Sequence, residues 1–271
     1  MKRTPGGPSI EWDDTGGALI SFGGQPQSYV DPGDPTRLEF DYIAHMATAI
    51  DALAPPGPVR ITHVGGGGLS LARWVAVTRW GSPQIVLEPD AHLTELVRRE
   101  LPLPRGHRIR VRPVSGESGV VALRPGSADV LVLDAYAQGQ VPASLVTPSF
   151  LAACAAALAH EGLLLANLAD EPGLTWVGRA VATIRQVLPH TALIAANEVL
   201  KGRRFGNTVL VAARAPIQVQ ELARGVARWP FPAGVWDEHD MERRMAGARP
   251  FGETDSEPSR PPPDPGRWRL T

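Results

Sequence analysis

The stretch Val59-Arg-Ile-Thr-His-Val64, followed by Gly65-Gly-Gly-Gly68, decides the fold of this 271-residue chain. The first six residues are typical of a short buried strand, and the glycines form a turn that leads into a helix over residues 69–79. Near-continuously apolar strands then alternate with helical segments as far as Ala212. This alternation predicts a parallel sheet covered by helices on both faces, that is, an α/β, doubly wound, Rossmann-like fold.

The same pattern extends in both directions along the chain. Predicted strands cover residues 59–64, 84–88, 108–112, 128–134, 162–167, 191–195 and 208–212. Predicted helices cover residues 38–53, 69–79, 91–101, 147–160, 174–188 and 219–228. Two short runs, 18–22 and 27–30, flank Gly23-Gly24 and predict a small β-hairpin before the main domain.

These segments predict four regions. Residues 1–54 hold the hairpin and the first helix, residues 55–214 form the Rossmann-like domain, and residues 215–251 form a helical extension. The tail, residues 252–271, is rich in proline, so we expect it to be disordered and to form no packed element.

Composition excludes several classes of protein. With 28 glycines and 27 prolines the chain is not an all-helical bundle, and its 27 basic and 28 acidic residues create no global field that attracts nucleic acid or anionic lipid. Cys154 is the only cysteine, which excludes an intrachain disulfide, and the seven histidines show no metal-ligand spacing, so we expect no metal. No apolar run is long enough to span a bilayer, and the first residues lack the apolar region of a signal peptide. We therefore expect a soluble, cytoplasmic protein without a membrane partner.

Glycine or carboxylate residues follow four successive predicted strands, at the edge where α/β sheets bind ligands. Gly65, Gly66, Gly67 and Gly68 form the first of these turns and let a ligand approach the backbone closely. Glu88, which ends the second strand, can accept hydrogen bonds from both hydroxyls of an adenosine ribose. Glu117, after the third strand, can contact the adenine amino group, and Asp134 ends the fourth. Together they predict a nucleoside pocket.

Two enzyme classes use this layout, the dinucleotide-binding dehydrogenases and the enzymes that bind S-adenosylmethionine or its relatives. A dehydrogenase favours Gly-x-Gly-x-x-Gly, and Ser70 stands at the sixth position here. Ser70 thus disfavours the dehydrogenase.

Five segments, in order, resemble the spermidine synthase (aminopropyltransferase) family, specifically its actinobacterial spermidine synthase-like branch. They are the N-terminal segment 27–42, the glycine motif 63–69, the acidic motif 86–90, the catalytic strand 129–134 and the late segment 203–212. The resemblance covers about residues 18–213, with a weaker echo at residues 248–255.

The resemblance implies a methyltransferase-like Rossmann fold with a small N-terminal β domain, a homodimer, and transfer of an aminopropyl group from decarboxylated S-adenosylmethionine to an amine. It also implies that Gln27 contacts the nucleoside and that Asp134 is the base, while Glu88 and Glu117 take the ribose and the adenine. Tyr136 lies two residues beyond the base, where it can cover the pocket. Two residues of the first helix, Tyr42 and His45, are candidates for substrate contact.

Three departures from the family pattern concern the amine half of the site. Gly68 stands where the family carries an acidic residue that pairs with the aminopropyl tail, and Ala137 stands where it carries a second acidic residue. Ile43-Ala44 replaces His-Glu after the N-terminal tyrosine. The adenosine half is retained and the amine half is partly lost, which leaves two alternatives open: a methyltransferase that uses S-adenosylmethionine, and a non-catalytic relative that binds a nucleoside.

Overall fold

Two β-sheets and nine helices make up the structure, a computed structural model that describes residues 7–230 and 232–263. The strands are Pro8–Trp12 (β1), Ala18–Phe22 (β2), Gln25–Val30 (β3), Ile61–Val64 (β4), Gln84–Leu87 (β5), Ile109–Arg112 (β6), Ala128–Leu133 (β7), Leu158–Asp170 (β8), His190–Ala196 (β9), Gly206–Ala213 (β10) and Ala233–Trp236 (β11). The α-helices are Asp41–Leu53 (α1), Ser70–Thr78 (α2), Ala91–Glu100 (α3), Gly116–Val121 (α4), Pro148–Ala157 (α5), Thr175–Arg185 (α6), Asn197–Leu200 (α7), Val219–Val226 (α8) and Glu238–Arg244 (α9). A 3₁₀ turn, Ala143–Val146, precedes α5.

The main sheet has eight strands in the order β11-β9-β10-β8-β7-β4-β5-β6. Strands β8, β7, β4, β5 and β6 run parallel, as the sequence predicts. The prediction of a wholly parallel sheet is wrong, because β10 is antiparallel to both β8 and β9, and β11 is antiparallel to β9. Residues 197–205, which join β9 to β10, are too few for the crossover that a parallel pair needs.

Helices cover both faces of this sheet, which confirms the doubly wound α/β fold. Side chains of β7 alternate between the two faces: Val130 and Val132 pack with α1, α2 and α8, whereas Leu131 and Leu133 pack with α5 and α6. Both faces of the central strands are therefore buried, and the open space lies at the carboxyl ends of β4, β5 and β7.

The N-terminal sheet sits over the start of α2. The predicted hairpin is present as β2 and β3, and β1 adds a third antiparallel strand that the turn-rich sequence did not predict. The Oγ atoms of Ser28 and Ser70 lie 2.7 Å apart, and the Ser70 hydroxyl donates to the Tyr29 carbonyl over 2.6 Å. These bonds fix β3 directly above the glycine turn.

The C-terminal part holds more structure than the sequence predicts. Besides α8 it contains β11 and α9, which the sequence analysis missed. Residues 252–263 form no helix or strand, as expected, but they are not free of the domain, since Ser259 is fully buried. Residues 264–271 of the predicted tail, and residues 1–6, lie outside the described residues. Within the described part of the chain, no helix is both long and apolar enough to cross a bilayer.

Candidate active site

A cavity of about 650 Å³ opens at the carboxyl ends of β4, β5 and β7. Its lining includes the predicted site residues Gln27, Tyr42, Gly65, Gly66, Gly67, Glu88, Glu117, Asp134 and Tyr136. The volume and the mixed apolar and polar walls are typical of a small-molecule site.

Glycine is required at the turn after β4. Gly65 has a φ of 91°, and a Cβ there would lie 2.1 Å from the carbonyl oxygen of Asp134. The backbone N–H of Gly66 donates to Oε2 of Glu88 over 3.0 Å. The turn therefore packs closely against β7 on one side and the Glu88 carboxylate on the other.

The Glu88 carboxylate is held by backbone donors on both oxygens. Oε2 accepts from Gly66, and Oε1 accepts from the N–H of Asp90 over 2.9 Å. A carboxylate oxygen has two lone pairs, so each retains capacity for a further donor. This geometry fits two neighbouring hydroxyls of a ribose.

Glu117 lies in the first turn of α4 rather than at the strand end itself. The Ser144 hydroxyl donates to its Oε1. Burial opposes ionisation of Glu117, but the hydrogen bonds from Ser144 and Ser115 outweigh it and lower the pKa of the carboxyl. Glu117 lines the cavity, so an ionised acceptor is available there.

Asp134 follows β7, and its backbone N–H donates to the carbonyl of Val64 over 2.9 Å. Burial raises the pKa of its carboxyl to about 6, although a hydrogen bond from Asn167 works in the opposite direction. The side-chain contact is 2.9 Å from Asn167 Nδ2 to Asp134 Oδ1. A carboxylate with this pKa is ionised at neutral pH and is more basic than an ordinary aspartate.

Tyr42 and Tyr136 flank this carboxylate. Burial, and then the charge of Asp134, raises the pKa of both phenols well above the usual value. Both tyrosines therefore remain protonated at neutral pH. The Tyr136 hydroxyl donates to the backbone carbonyl of Asn167 over 3.2 Å, which holds the ring beside β8.

Asn167 is a site residue that the sequence analysis missed. It lines the cavity from β8 and is only 3% exposed. Its Oδ1 atom is buried and has no hydrogen-bond partner among the described residues. An unpaired buried acceptor next to Asp134 is suited to an N–H donor of a ligand.

Two predicted site residues lie outside the lining. A Cβ on Gly68 would lie 2.8 Å from Ile20 Cδ1 and from Ser28 Oγ, so this position faces the N-terminal sheet. His45 is buried within α1, where burial lowers the pKa of its imidazole. Neither residue is among those that line the cavity, so their contact with a ligand stays a prediction.

Metal coordination has no candidate cluster in residues 7–230 and 232–263. No group of three or more histidine, cysteine, aspartate or glutamate side chains there is arranged to hold an ion.

Comparisons with known proteins add an independent observation. No protein-family model matches the chain. A polyamine aminopropyltransferase of Vibrio vulnificus (strain CMCP6) is 30% identical over 147 residues, which cover 53% of this chain and 48% of that protein. The chain spans about half the length of the curated relatives it matches.

Solved structures match over a greater length. The crystal structure of a probable spermidine synthase from Corynebacterium glutamicum ATCC 13032 is 31% identical and superposes with a TM-score of 0.85, covering 94% of this chain and 95% of that one. Human methyltransferase-like protein 13 in complex with SAH is 21% identical, has a TM-score of 0.56, and covers 79% of this chain and 96% of that one. The second likeness concerns the fold alone.

Proposed function

Because the chain belongs to the spermidine synthase family, we propose that it is an aminopropyltransferase that uses decarboxylated S-adenosylmethionine and an amine. The observation that carries the proposal is the partly buried Asp134 carboxylate, whose pKa is raised to about 6 in the same cavity as Glu88 and the glycine turn. A base and a nucleoside cradle thus share one site.

The nucleoside half of the cavity fits the proposed co-substrate. Gly65 to Gly67 leave room for close approach to the backbone, and the Glu88 carboxylate is oriented for the ribose hydroxyls. Glu117 is an ionised acceptor suited to an exocyclic amine, and Gln27 lines the cavity from β3. The co-substrate would be held by these groups with its reactive carbon toward Asp134.

The proposed chemistry requires a neutral amine. An alkylammonium has a pKa of about 10.4 in water, so the acceptor must lose a proton before or during attack. Asp134 takes that proton, the amine nitrogen bonds to the methylene carbon next to the sulfonium, and the carbon–sulfur bond breaks with its electron pair moving to sulfur. Asn167 Oδ1 is positioned to accept a second N–H of the amine, which orients its lone pair.

A partly lost diamine site is part of the proposal. The carboxylates that line the cavity, among the described residues, are Glu88, Asp90, Glu117 and Asp134. Glu88 and Asp90 lie together at the ribose side, and Glu117 is bonded to the 3₁₀ turn, so Asp134 alone serves the amine side. Ala137 lines the cavity there without a charge. This arrangement supports an acceptor amine of which only one amino group is bound by a carboxylate, that of Asp134.

Titration calorimetry and a labelled-substrate assay test the proposal. We expect methylthioadenosine and decarboxylated S-adenosylmethionine to bind more tightly than S-adenosylmethionine, and labelled aminopropyl to transfer to an amine from a panel of monoamines and diamines. The reverse order of affinity favours a methyltransferase. A folded protein that binds none of the three ligands contradicts both the aminopropyltransferase and the methyltransferase.

The homodimer and the cytoplasmic location remain predictions. Light scattering of the purified protein at several concentrations checks the first, and fractionation of the native host checks the second.

A further inference from the structure

The loop that follows β7, residues 135–142, forms one wall of the cavity mouth and is called the mouth loop below. Residues Ala135 to Gly139 and Pro142 line the cavity. The loop reverses direction through a bridge between Ala137 and Gln140, with Gln138 at a φ of 54° and Gly139 at 78°. A left-handed glutamine is unfavourable, so contacts from outside the loop must hold this turn.

Those contacts come from residues 257–263, called the C-terminal strap. The backbone N–H of Ser259 donates to the carbonyl of Val141 over 3.1 Å, and the N–H of Val141 donates to the Ser259 hydroxyl over 2.9 Å. The side-chain amide of Gln140 donates to the Ser259 carbonyl. Ser259 therefore meets two adjacent loop residues through three hydrogen bonds.

The strap is itself fixed to the domain and reaches the cavity. The indole N–H of Trp176, on α6, donates to the carbonyl of Glu257 over 2.9 Å. At the other end, Pro262 is buried, lines the cavity, and has its Cδ 3.3 Å from where a Cβ on Gly139 would lie. Gln25 Oε1 lies 3.4 Å from the same point, so Gly139 sits between the N-terminal sheet and the strap.

We propose that the C-terminal strap holds the mouth loop closed over the Asp134 end of the cavity, with Ser259 as a positioning residue and Pro262 as part of the acceptor wall. The loop carries Tyr136 next to Asp134, so its position sets how well the acceptor amine is held. The inference rests on the proposed function only for the identity of that ligand.

Two variants test the strap. Ser259→Ala removes the acceptor for the Val141 N–H. Pro262→Ala removes ring atoms that line the cavity beside Gly139 and leaves the hydrogen bonds of Ser259 in place. Ser256→Ala is the matched control, because Ser256 lies just before the strap and its hydroxyl donates to the Gly252 carbonyl and not to the mouth loop.

Hydrogen exchange of residues 136–142 is the primary measurement. We expect exchange there to be faster by roughly tenfold in Ser259→Ala, the change that losing one hydrogen bond brings, and unchanged in Ser256→Ala. In the transfer assay, the KM for the acceptor amine rises in both strap variants. The Kd for methylthioadenosine stays within about twofold, since the hydrogen bonds of Ser259 go to Gln140 and Val141 and not to Glu88 or Glu117.

Unchanged exchange of the mouth loop in both strap variants overturns the proposal, and so does faster exchange without any rise in the KM for the amine. If Ser259→Ala does not fold, Pro262→Ala decides the matter, because it leaves the hydrogen bonds intact. If no amine is a substrate, the proposed function fails while the exchange measurement still decides whether the strap holds the loop.

Discussion

Asn167 Nδ2 donates to Asp134 Oδ1 over 2.9 Å, across the pair of parallel strands β8 and β7. The two atoms of the Asn167 amide have different surroundings, since Nδ2 is bonded to the carboxylate and Oδ1 is buried without a partner among the described residues. One side chain thus fixes the proposed base and offers an acceptor beside it. A primary amine that enters this corner can donate to both residues at once.

Replacing the proposed base by its neutral isostere separates activity from stability. We expect Asp134→Asn to abolish turnover and to leave nucleoside binding within a few-fold. A carboxyl whose pKa is raised from 3.8 to about 6 weakens the folded state when it ionises, by up to roughly 3 kcal/mol. The variant should therefore be more stable than the wild type at pH 7, as measured by urea denaturation.

Asp129, at the opposite end of β7, is the matched control. Burial opposes its ionisation, but the bonds from Arg60 outweigh this and lower the pKa of its carboxyl. Asp129→Asn should keep full activity and lose no more than about 1 kcal/mol of stability, because the Arg60 side chain is 47% exposed and water screens the ion pair. Full activity in Asp134→Asn would remove that residue from the mechanism.

The raised pKa of Asp134 also sets the pH dependence of the activity and of the stability gain in Asp134→Asn. A base must be unprotonated, so kcat/KM should rise with pH through about 6 and level off above it. The stability gain of Asp134→Asn should have the same origin: it is complete above pH 6 and vanishes as the pH falls to about 4, where the carboxyl is protonated in both folded and unfolded states. A gain that is independent of pH would show that ionisation is not its cause.

Removing the hydrogen bond that Asn167 donates should shift the pH dependence of kcat/KM. The hydrogen bond stabilises the ionised form of Asp134, so Asn167→Leu should raise the pKa of Asp134 further and shift the acid limb of kcat/KM to higher pH. Asn207→Leu is a suitable control, because Asn207 also lines the cavity but lies on β10. If the acid limb of kcat/KM lies at the same pH in both variants as in the wild type, the hydrogen bond from Asn167 does not set the pKa of Asp134.

The predicted strand-end residues, except Gly68, line one cavity, and they could be found because each follows an apolar strand and carries a recognisable group. The sequence did not predict Asn167 as a site residue. It lies inside the long apolar strand β8, where one uncharged amide belongs to no recognisable motif. The sequence did not predict the role of Ser259 either, for a different reason. A proline-rich composition is typical of disorder, and the partners of Ser259 in the mouth loop are more than a hundred residues away along the chain.

The ribose contact can be tested by a change of one atom. Glu88→Gln replaces a carboxylate oxygen by an amide nitrogen that cannot accept hydrogen bonds, so methylthioadenosine binding should weaken by about 1–3 kcal/mol. Calorimetry measures the loss. Glu95→Gln, on the exposed face of α3, should leave the affinity unchanged. Equal affinity of Glu88→Gln and the wild type would place the ribose elsewhere.

Gly68 and Ala137 both stand where the family pattern has an acidic residue, but their surroundings differ. A side chain at Gly68 would meet Ile20, Ser28 and Val30 within 3.0 Å, whereas Ala137 is exposed and lines the cavity. Gly68→Asp should therefore destabilise the protein by about 1–3 kcal/mol through overpacking, without changing the preference between decarboxylated and ordinary S-adenosylmethionine.

Ala137→Asp, unlike Gly68→Asp, should change substrate binding and leave stability almost unchanged. It adds a carboxylate at the amine side of the cavity, where a hydrogen-bonded charge contributes about 1.5–3 kcal/mol, so the KM for a diamine should fall about tenfold or more while stability changes little. Transfer assays with putrescine and with a monoamine of equal length separate this gain from a general effect. If Gly68→Asp instead tightens decarboxylated S-adenosylmethionine without loss of stability, the N-terminal sheet yields to the new side chain and Gly68 belongs to the pocket after all.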